Sequence, residues 1–235
     1  MELKTLGIIC AESQEAEPYR QVMHIGDQTI KAKMQFTIGE LFGKKAVIVQ
    51  CGNAKVNAAL ATQILKDIFD TDFVILSGTA GALDQNLKIG DVVVATGVAC
   101  HDLEPRIITD FIPFAPGGRF PADDNFLQAA TRLKETSRQN IILGEMASGD
   151  TFISGEQRDA IAVRLKAVAV DMESAAVGHA CFANDLPFAV VKAITDTVEH
   201  DSFGNFGRNM TQASKNAFNV TEEILEKCFL KNPCV

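Results

Sequence analysis

Carboxylates stand directly after two of the most apolar segments of the chain. Asp171-Met172-Glu173 follows the run 168–170, and Asp196 follows the run 188–195. In an open α/β sheet, ligands bind at the carboxyl ends of the strands, where one carboxylate can accept hydrogen bonds from both hydroxyls of a ribose. In an apolar pocket, one acid can hold a proton while another stays ionised. Structural roles compete with this interpretation, because acids stabilise the first turn of a helix and Asp is a common N-cap.

Two further segments place polar groups beside predicted strands. The turn Gly78-Thr79-Ala80-Gly81 follows the apolar run 73–77, so its N–H groups could receive an anion or a sugar hydroxyl, although a tight turn is the simpler explanation. A dinucleotide site would need GxGxxG opening a helix, and here a loop leads into another strand instead. Glu12, Glu15 and Glu17 follow the first apolar run, where acids usually form a solvated helix face.

Histidine and cysteine spacing indicates neither a metal site nor a nucleophile. His24, His101, His179 and His200 have no ligand spacing with one another or with a cysteine, and GxSxG, Walker A and HExxH motifs are absent. We therefore expect no metal, so that hydrolysis would depend on acids and a bound water. The six scattered cysteines form no CxxC pair and are expected to be free thiols of a reducing, cytoplasmic compartment.

Composition and charge exclude several classes of protein. Of 235 residues, 47% are hydrophobic and 22% charged, which predicts one globular domain over residues 1–235. Lys and Arg number 22 against 30 Asp and Glu, a net charge of −8, and no basic stripe indicates nucleic-acid binding. No apolar run approaches the roughly 18 residues of a membrane span. We expect a small molecule or a second copy of the chain as partner, and no membrane.

Apolar runs alternate with amphipathic segments, which predicts an α/β fold. Strands are predicted at 6–10, 34–42, 45–50, 73–77, 91–99, 141–148, 168–172 and 188–195, and helices at 12–24, 54–68, 123–137, 156–166, 173–184 and 208–230. Apolar strands between amphipathic helices imply a central sheet covered on both faces, and a hairpin near Gly43 makes the sheet mixed. The irregular stretch 101–122 is rich in Pro and Phe, which is typical of a functional loop or an interface.

Six segments together resemble the 5′-methylthioadenosine/S-adenosylhomocysteine nucleosidases of the nucleoside phosphorylase superfamily. They are GIICAESQE, LSGTAGAL, IGDVVVA, SGDTFI, VDMESAAVGHAC and PFAVVKAITD, in the family's order over residues 6–228. The resemblance implies a three-layer α/β/α sandwich around a mixed sheet, and a homodimer. It also implies hydrolysis of the N-glycosidic bond of a 5′-modified adenine nucleoside (5′-methylthioadenosine, S-adenosylhomocysteine or 5′-deoxyadenosine), releasing adenine without metal or cofactor.

The same resemblance implies roles for individual residues. Glu15 corresponds to the acid that activates water, and Asp196 to the acid that protonates the leaving adenine at N7. Glu173 and the backbone of Met172 correspond to the ribose-binding pair. The other implied substrate contacts are Phe152 and Ile153 at the purine, with Thr79, Ala80, Gly81, Asn53, Asp171 and Phe111 around the rest of the nucleoside.

Departures from the family pattern concentrate around the 5′ substituent. Glu12 stands where Met is common, Asn53 replaces an Ile that lines the 5′ pocket, and Lys192 replaces an Arg. The segment 104–121 replaces a glycine-rich aromatic segment that reaches the neighbouring subunit's 5′ pocket, a role still open to Phe111, Pro113 and Phe114. Because a buried polar group needs a partner, Asn53 favours a smaller or more polar 5′ group.

Two alternative functions are less well supported by the residues. A nucleoside phosphorylase of the same superfamily needs cations for phosphate, yet Leu76-Ser77 stand where such enzymes carry an Arg. A nucleoside-binding protein without turnover would be expected to lose at least one of Glu15, Glu173 and Asp196, and all three are present.

Overall fold

Ten strands form one mixed sheet in the computed structural model, which describes residues 3–197 and 203–229. The strands are β1 (Thr5–Cys10), β2 (His24–Lys31), β3 (Met34–Leu41), β4 (Lys44–Gln50), β5 (Phe73–Ala82), β6 (Val92–Cys100), β7 (Phe120–Pro121), β8 (Ile141–Ser148), β9 (Ala167–Asp171) and β10 (Phe188–Asp196). The helices are α1 (Ser13–Val22), α2 (Lys55–Phe69), α3 (Arg106–Thr109), α4 (Asp124–Lys134), α5 (Gln157–Leu165), α6 (Ser174–Ala183) and α7 (Phe203–Glu223). A 3-10 turn at Pro116–Gly118 precedes β7, and a π-helical segment at Ile224–Phe229 continues α7.

The sheet has an open part and a closed part that share β5. The open part runs β5–β1–β4–β3–β2, with β1 parallel to both β4 and β5 and with antiparallel hairpins beyond β4. In the closed part, β5, β10, β6, β8 and β9 pair in a ring, because β9 returns to β5. The prediction of a mixed sheet, and of the hairpin near Gly43, is confirmed.

One edge of β5 is divided between two strands, which opens the sheet locally. β10 pairs along Val74–Gly81 on one edge. On the other edge, β1 pairs with Phe73–Leu76 and β9 with Gly81–Ala82. Among the described residues, no strand pairs with Ser77–Ala80 on that second edge, so its backbone N–H groups need side-chain partners.

Helices cover the sheet on both faces. One core cluster joins the sheet to α2 and α6, and a second joins its other face to α1, α4 and α7. In β1, Ile9 belongs to the first cluster and Leu6, Ile8 and Cys10 to the second, as expected for a strand whose side chains alternate between two covered faces. The α/β sandwich predicted from the sequence is confirmed.

Apolar residues at helical spacing in α2 predict a buried face, but several of them lie on the exposed side of the helix. Val56, Leu60 and Ile68 are 69%, 45% and 53% exposed, whereas Ala58 and Ala61 are fully buried against the sheet and α6. Small side chains let α2 approach these elements closely, whereas Val56, Leu60 and Ile68 form a stripe that faces away from the core. A stripe of this kind is typical of an interface.

The strand β2 was missed by the sequence analysis. Its eight residues are nearly all exposed, and it lies at the edge of the sheet, so no alternation of buried and exposed side chains marks it. The helix α7 also begins earlier than the predicted residue 208.

Candidate active site

A cavity opens where β1, β5, β9 and β10 end and where the edge of β5 lacks a strand partner. Eleven of the twelve residues predicted as site residues line it: Glu15, Asn53, Thr79, Ala80, Gly81, Phe152, Ile153, Asp171, Met172, Glu173 and Asp196. Phe111 does not line the cavity and is 65% exposed. The other lining residues, which the sequence analysis did not assign to substrate contacts, are Ala11, Glu12, Thr151, Val170 and Thr195.

Glu15 supplies the polar partner that the open edge of β5 requires. Its Oε1 accepts hydrogen bonds from the Thr79 backbone N–H and hydroxyl at 2.8 and 2.9 Å. Its Oε2 accepts from the backbone N–H groups of Ala11 and Glu12 at 2.8 and 3.0 Å. The side chain is 3% exposed. Four donors thus fix a buried carboxylate, which excludes the solvated helix face considered for this residue.

The segment Gly78–Gly81 is not a tight turn, because β5 continues through it to Ala82. Its glycines instead make room for carboxylates. A Cβ on Gly78 would lie 2.3 Å from Glu15 Oε1, and a Cβ on Gly81 would lie 2.8 Å from Asp196 Oδ2. Contacts that short do not occur in folded proteins, so glycine at both positions lets the two acids approach the strand.

Glu173 lies in a buried group of opposite charges. Its Oε1 accepts a hydrogen bond from the Ala54 N–H at 2.9 Å, and its Oε2 lies 3.4 Å from Lys192 Nζ. Burial raises the pKa of Glu173 to about 7, although the Lys192 charge acts in the opposite direction. Burial works to lower the pKa of Lys192, but Asp171, Glu15 and Glu173 outweigh it and raise that pKa well above its ordinary value.

Asp171 has the helix-capping role that the sequence analysis left open for this segment. Its carboxylate accepts hydrogen bonds from the backbone N–H and the hydroxyl of Ser174 at 3.1 and 2.7 Å, at the start of α6. Its Oδ2 also lies 3.4 Å from Lys192 Nζ. Asp171 therefore holds the start of α6, next to Glu173, and also the buried ammonium group of Lys192.

Asp196 forms an ion pair with Arg158, and both side chains are buried. The Arg158 guanidinium donates to Asp196 Oδ2 and, at 2.5 Å, to the Ala82 carbonyl. The Thr195 hydroxyl donates to Asp196 Oδ1 at 2.8 Å. Sequence reasoning missed Arg158, because an arginine in the first turn of a predicted helix carries no signal that it reaches a strand end 38 positions away.

Glu12 and Asn53 form a polar pair on the wall of the cavity. The Asn53 Nδ2 group donates to Glu12 Oε1 at 2.6 Å. Asn53 is exposed, so the expectation of a buried polar group at this position was wrong. The turn before α2 holds Asn53 in place, since the Gly52 N–H donates to the Ala11 carbonyl and Asn57 Nδ2 donates to the Asn53 carbonyl. In the same turn, Ala54 has φ 81° and ψ 164°, a region that is strained for any residue except glycine. This conformation directs the Ala54 N–H to Glu173.

The cavity carries an excess of negative charge. Its lining includes five carboxylates, and among the described residues no Lys, Arg or His lines it. The two buried cations, Lys192 and Arg158, lie behind the carboxylates that they contact. Such a site favours a ligand, or a transition state, with developing positive charge. An anionic co-substrate such as phosphate would meet no cation on this wall.

Two further searches of the described residues bear on the class of protein. None of the described helices combines the length and the apolar character needed to cross a bilayer. No group of three or more His, Cys, Asp or Glu side chains in the described part of the chain has an arrangement that could hold a metal ion.

Comparison with known proteins gives consistent matches. Residues 5–226 match the model of the Phosphorylase superfamily. A 5′-methylthioadenosine/S-adenosylhomocysteine nucleosidase of Bacillus thuringiensis (strain Al Hakam) is 31% identical over 232 residues, which cover 94% of this chain and 98% of that protein.

Two solved structures agree with the fold over nearly the whole chain. The 5′-methylthioadenosine/S-adenosylhomocysteine nucleosidase from Neisseria meningitidis, in complex with methylthio-immucillin-A, matches with a TM-score of 0.87 at 32% identity, covering 95% of this chain and 99% of that one. The enzyme from Colwellia psychrerythraea 34H, in complex with adenine, matches with a TM-score of 0.87 at 31% identity and covers 98% of each chain. The chain therefore belongs to the phosphorylase superfamily and, within it, to the 5′-methylthioadenosine/S-adenosylhomocysteine nucleosidases.

Proposed function

We propose that this protein hydrolyses the N-glycosidic bond of 5′-modified adenine nucleosides, of which 5′-methylthioadenosine, S-adenosylhomocysteine and 5′-deoxyadenosine are examples, and releases adenine. The observation that carries the proposal is the meeting of Glu15, Glu173 and Asp196 around one cavity, each of them less than 5% exposed. The relatives named as nucleosidases, and a neighbour whose structure holds adenine, support the same reaction. Residues 1–235 act as a single catalytic domain.

Asp196 is the group that assists departure of the base. Breaking the C1′–N9 bond places negative charge on the purine, and a proton given to N7 makes adenine a better leaving group. General acid catalysis of this kind contributes roughly 10²–10⁴-fold to the rate. The Arg158 guanidinium, in contact with Oδ2, stabilises the ionised form of Asp196. The carboxylate therefore takes up a proton from solvent before the bond breaks, and its ion pair with Arg158 is restored when that proton passes to N7. Phe152 and Ile153, on the cavity wall, hold the purine.

Glu15 and Glu173 act on the sugar side of the bond. The ribosyl group gains positive charge as the bond breaks, and the carboxylates of the cavity stabilise that charge. Glu15 orients the attacking water and accepts its proton once the Thr79 hydroxyl, the one of its four donors that can rotate, turns away from Oε1. Glu173, together with the Met172 backbone, binds the ribose hydroxyls, and the ionised form of Glu173 is the form that accepts their hydrogen bonds.

Release of free adenine from 5′-methylthioadenosine, assayed with and without inorganic phosphate, tests the proposal directly. We expect release at the same rate in both conditions, with 5-methylthioribose rather than 5-methylthioribose 1-phosphate as the second product. A strict requirement for phosphate would instead identify a phosphorylase. Binding of the nucleoside with no base release over hours would identify a protein without turnover.

We also propose that the protein is a homodimer in the cytoplasm. Large exposed apolar side chains gather on α2 and in the segment 107–114: Val56, Leu60, Ile68, Ile107, Phe111, Ile112 and Phe114. Burying these groups against a second copy would remove a surface that is costly in water and would let Phe111 approach the partner's cavity. The described cysteines Cys10, Cys51, Cys100 and Cys181 are free thiols, which supports a reducing compartment.

Light scattering on the purified chain tests the dimer. We expect twice the mass of one chain for the wild type and the mass of a single chain for Leu60→Glu. The matched control is Val163→Glu, which changes an 80% exposed apolar residue on α5, outside both apolar segments, and is expected to stay dimeric. A monomeric wild type would refute the dimer without affecting the proposed reaction.

A further inference from the structure

The order of the polar groups along the cavity fixes the direction of a bound nucleoside. Asp196 is in register with Gly81, whereas Glu15 binds Thr79, two residues earlier on the same strand. Glu12 follows on the far side of Glu15, since its N–H donates to Glu15 Oε2. Asn53 is bonded to Glu12 and precedes Ala54, which donates to Glu173.

A nucleoside whose base lies at Asp196 and whose ribose lies at Glu173 therefore directs its 5′ carbon to Glu12 and Asn53. C1′ and C4′ are on opposite sides of the ring oxygen, so the 5′ substituent leaves the ribose away from the base. This step depends on the proposed function, because that function places the base and the sugar.

The Glu12–Asn53 pair presents mainly hydrogen-bond acceptors at this end of the cavity. A carboxylate has about four acceptor positions. The hydrogen bonds from Asn53 and from the Glu15 backbone N–H, the latter part of a capping box at the start of α1, use two of them. The first of these bonds fixes the Asn53 amide by its nitrogen, which leaves the amide oxygen as its other polar end. Asn53 is exposed and Glu12 half-buried, so water reaches the pair. A bound 5′ substituent displaces that water, so an apolar thioether would leave the acceptors without a donor, whereas an ammonium or hydroxyl group would supply one.

Charge adds to this preference. Five carboxylates line the cavity, and in the described part of the chain no basic side chain faces it. A cationic 5′ substituent is attracted by this potential, and an anionic one is repelled. We propose that the Glu12–Asn53 pair selects adenine nucleosides whose 5′ substituent is a hydrogen-bond donor, with a primary ammonium group favoured most.

The test compares three nucleosides that differ only at C5′: 5′-amino-5′-deoxyadenosine, 5′-deoxyadenosine and adenosine-5′-carboxylate. At neutral pH we expect kcat/KM for adenine release to be about tenfold higher for the amino compound than for 5′-deoxyadenosine, and lowest for the carboxylate. Glu12→Gln keeps the shape of the side chain and removes its charge, so the amino-to-deoxy ratio should fall about tenfold. Glu12→Met should reverse the preference.

Glu17→Gln is the matched control, because Glu17 is an exposed acid of the same helix that does not line the cavity. It should leave the ratio unchanged. An amino-to-deoxy ratio of one or less in the wild type, or the same ratio in Glu12→Gln, overturns the inference while leaving hydrolysis intact. If no nucleoside releases adenine, the proposed reaction is wrong. The inference is then tested by binding: the Kd of the amino compound should be about tenfold lower than that of 5′-deoxyadenosine, and Glu12→Gln should remove the difference.

Discussion

Replacement of Gly78 by alanine should displace the Glu15 carboxylate without changing the residue itself, and it therefore tests whether the position of Glu15 matters for catalysis. The new Cβ would lie 2.3 Å from Glu15 Oε1, whereas ordinary contacts begin at 3.4 Å, so the carboxylate would have to move by about 1 Å. The hydrogen bonds to Oε1 from Thr79 are 2.8 and 2.9 Å long and would be broken by such a shift. A displacement of 1 Å in a catalytic group can cost roughly 10²-fold in rate.

The same change should have a modest cost in stability. Leaving the buried Thr79 N–H without its acceptor costs about 1–3 kcal/mol. For a chain of this size each kcal/mol lowers Tm by roughly 2–4 °C. We therefore expect kcat for adenine release to fall about a hundredfold in Gly78→Ala, while Tm falls by a few degrees and the protein stays folded at 25 °C.

Gly207→Ala is the matched control for Gly78→Ala. A Cβ at Gly207 meets no heavy atom within 4 Å, and this residue lies on the exposed side of α7. Alanine there should leave kcat unchanged and raise stability by up to about 1 kcal/mol, because glycine is a poor helix former. If folded Gly78→Ala retains kcat within threefold of the wild type, the anchoring of Glu15 by Thr79 is not needed for catalysis and this reasoning is wrong.

Four further changes follow from the described contacts. Asp196→Asn should abolish adenine release while nucleoside binding persists, and an active variant would contradict the leaving-group role. The same variant should lower the free energy of unfolding in urea by up to about 3–5 kcal/mol, because the charge that faces buried Arg158 is lost. Glu15→Gln should also remove activity, since an amide cannot accept from all four donors that hold this side chain, and near-normal rates would point to another base. Burial raises the pKa of Glu173 to about 7, so the ionised fraction of this carboxyl grows as the pH rises through 7. The Kd of an uncleaved nucleoside analogue should therefore decrease as the pH rises through 7 in the wild type. In Glu173→Gln the Kd should stay constant. Ala54→Gly should relieve strained backbone worth about 1–3 kcal/mol and raise Tm without reducing kcat, and a lower Tm would show that Ala54 is not strained.

Local pattern alone predicted most of the elements but, within the candidate site, only the acids at the strand ends. Glu15, Asn53 and Phe152 were expected only from the family resemblance. Unbroken apolar runs mark β1, β5 and β10, since a strand covered on both faces excludes polar side chains from its middle. Acids at the ends of such runs were expected to form a ligand site, because ligands bind at the carboxyl ends of strands in open α/β sheets. In the structure β10 is parallel to β5 but β9 is antiparallel to it, so the closure of the ring of strands brings the end of β9 to the same place. Glu15, Glu173 and Asp196 do line one cavity.

Only the tertiary structure decided which groups face these acids. Arg158 reaches Asp196 across 38 positions of the chain, and Asn53 reaches Glu12 across 41. Neither pairing leaves a periodic trace, because it depends on how a loop or helix end packs over the sheet rather than on local spacing. The outward stripe of α2 has the same origin: apolar spacing specifies a helix, but the packing of Ala58 and Ala61 decides which face is buried. The chain by itself determined the elements and the chemistry of the strand ends, whereas side-chain packing between distant segments determined the charge, the shape and the specificity of the site.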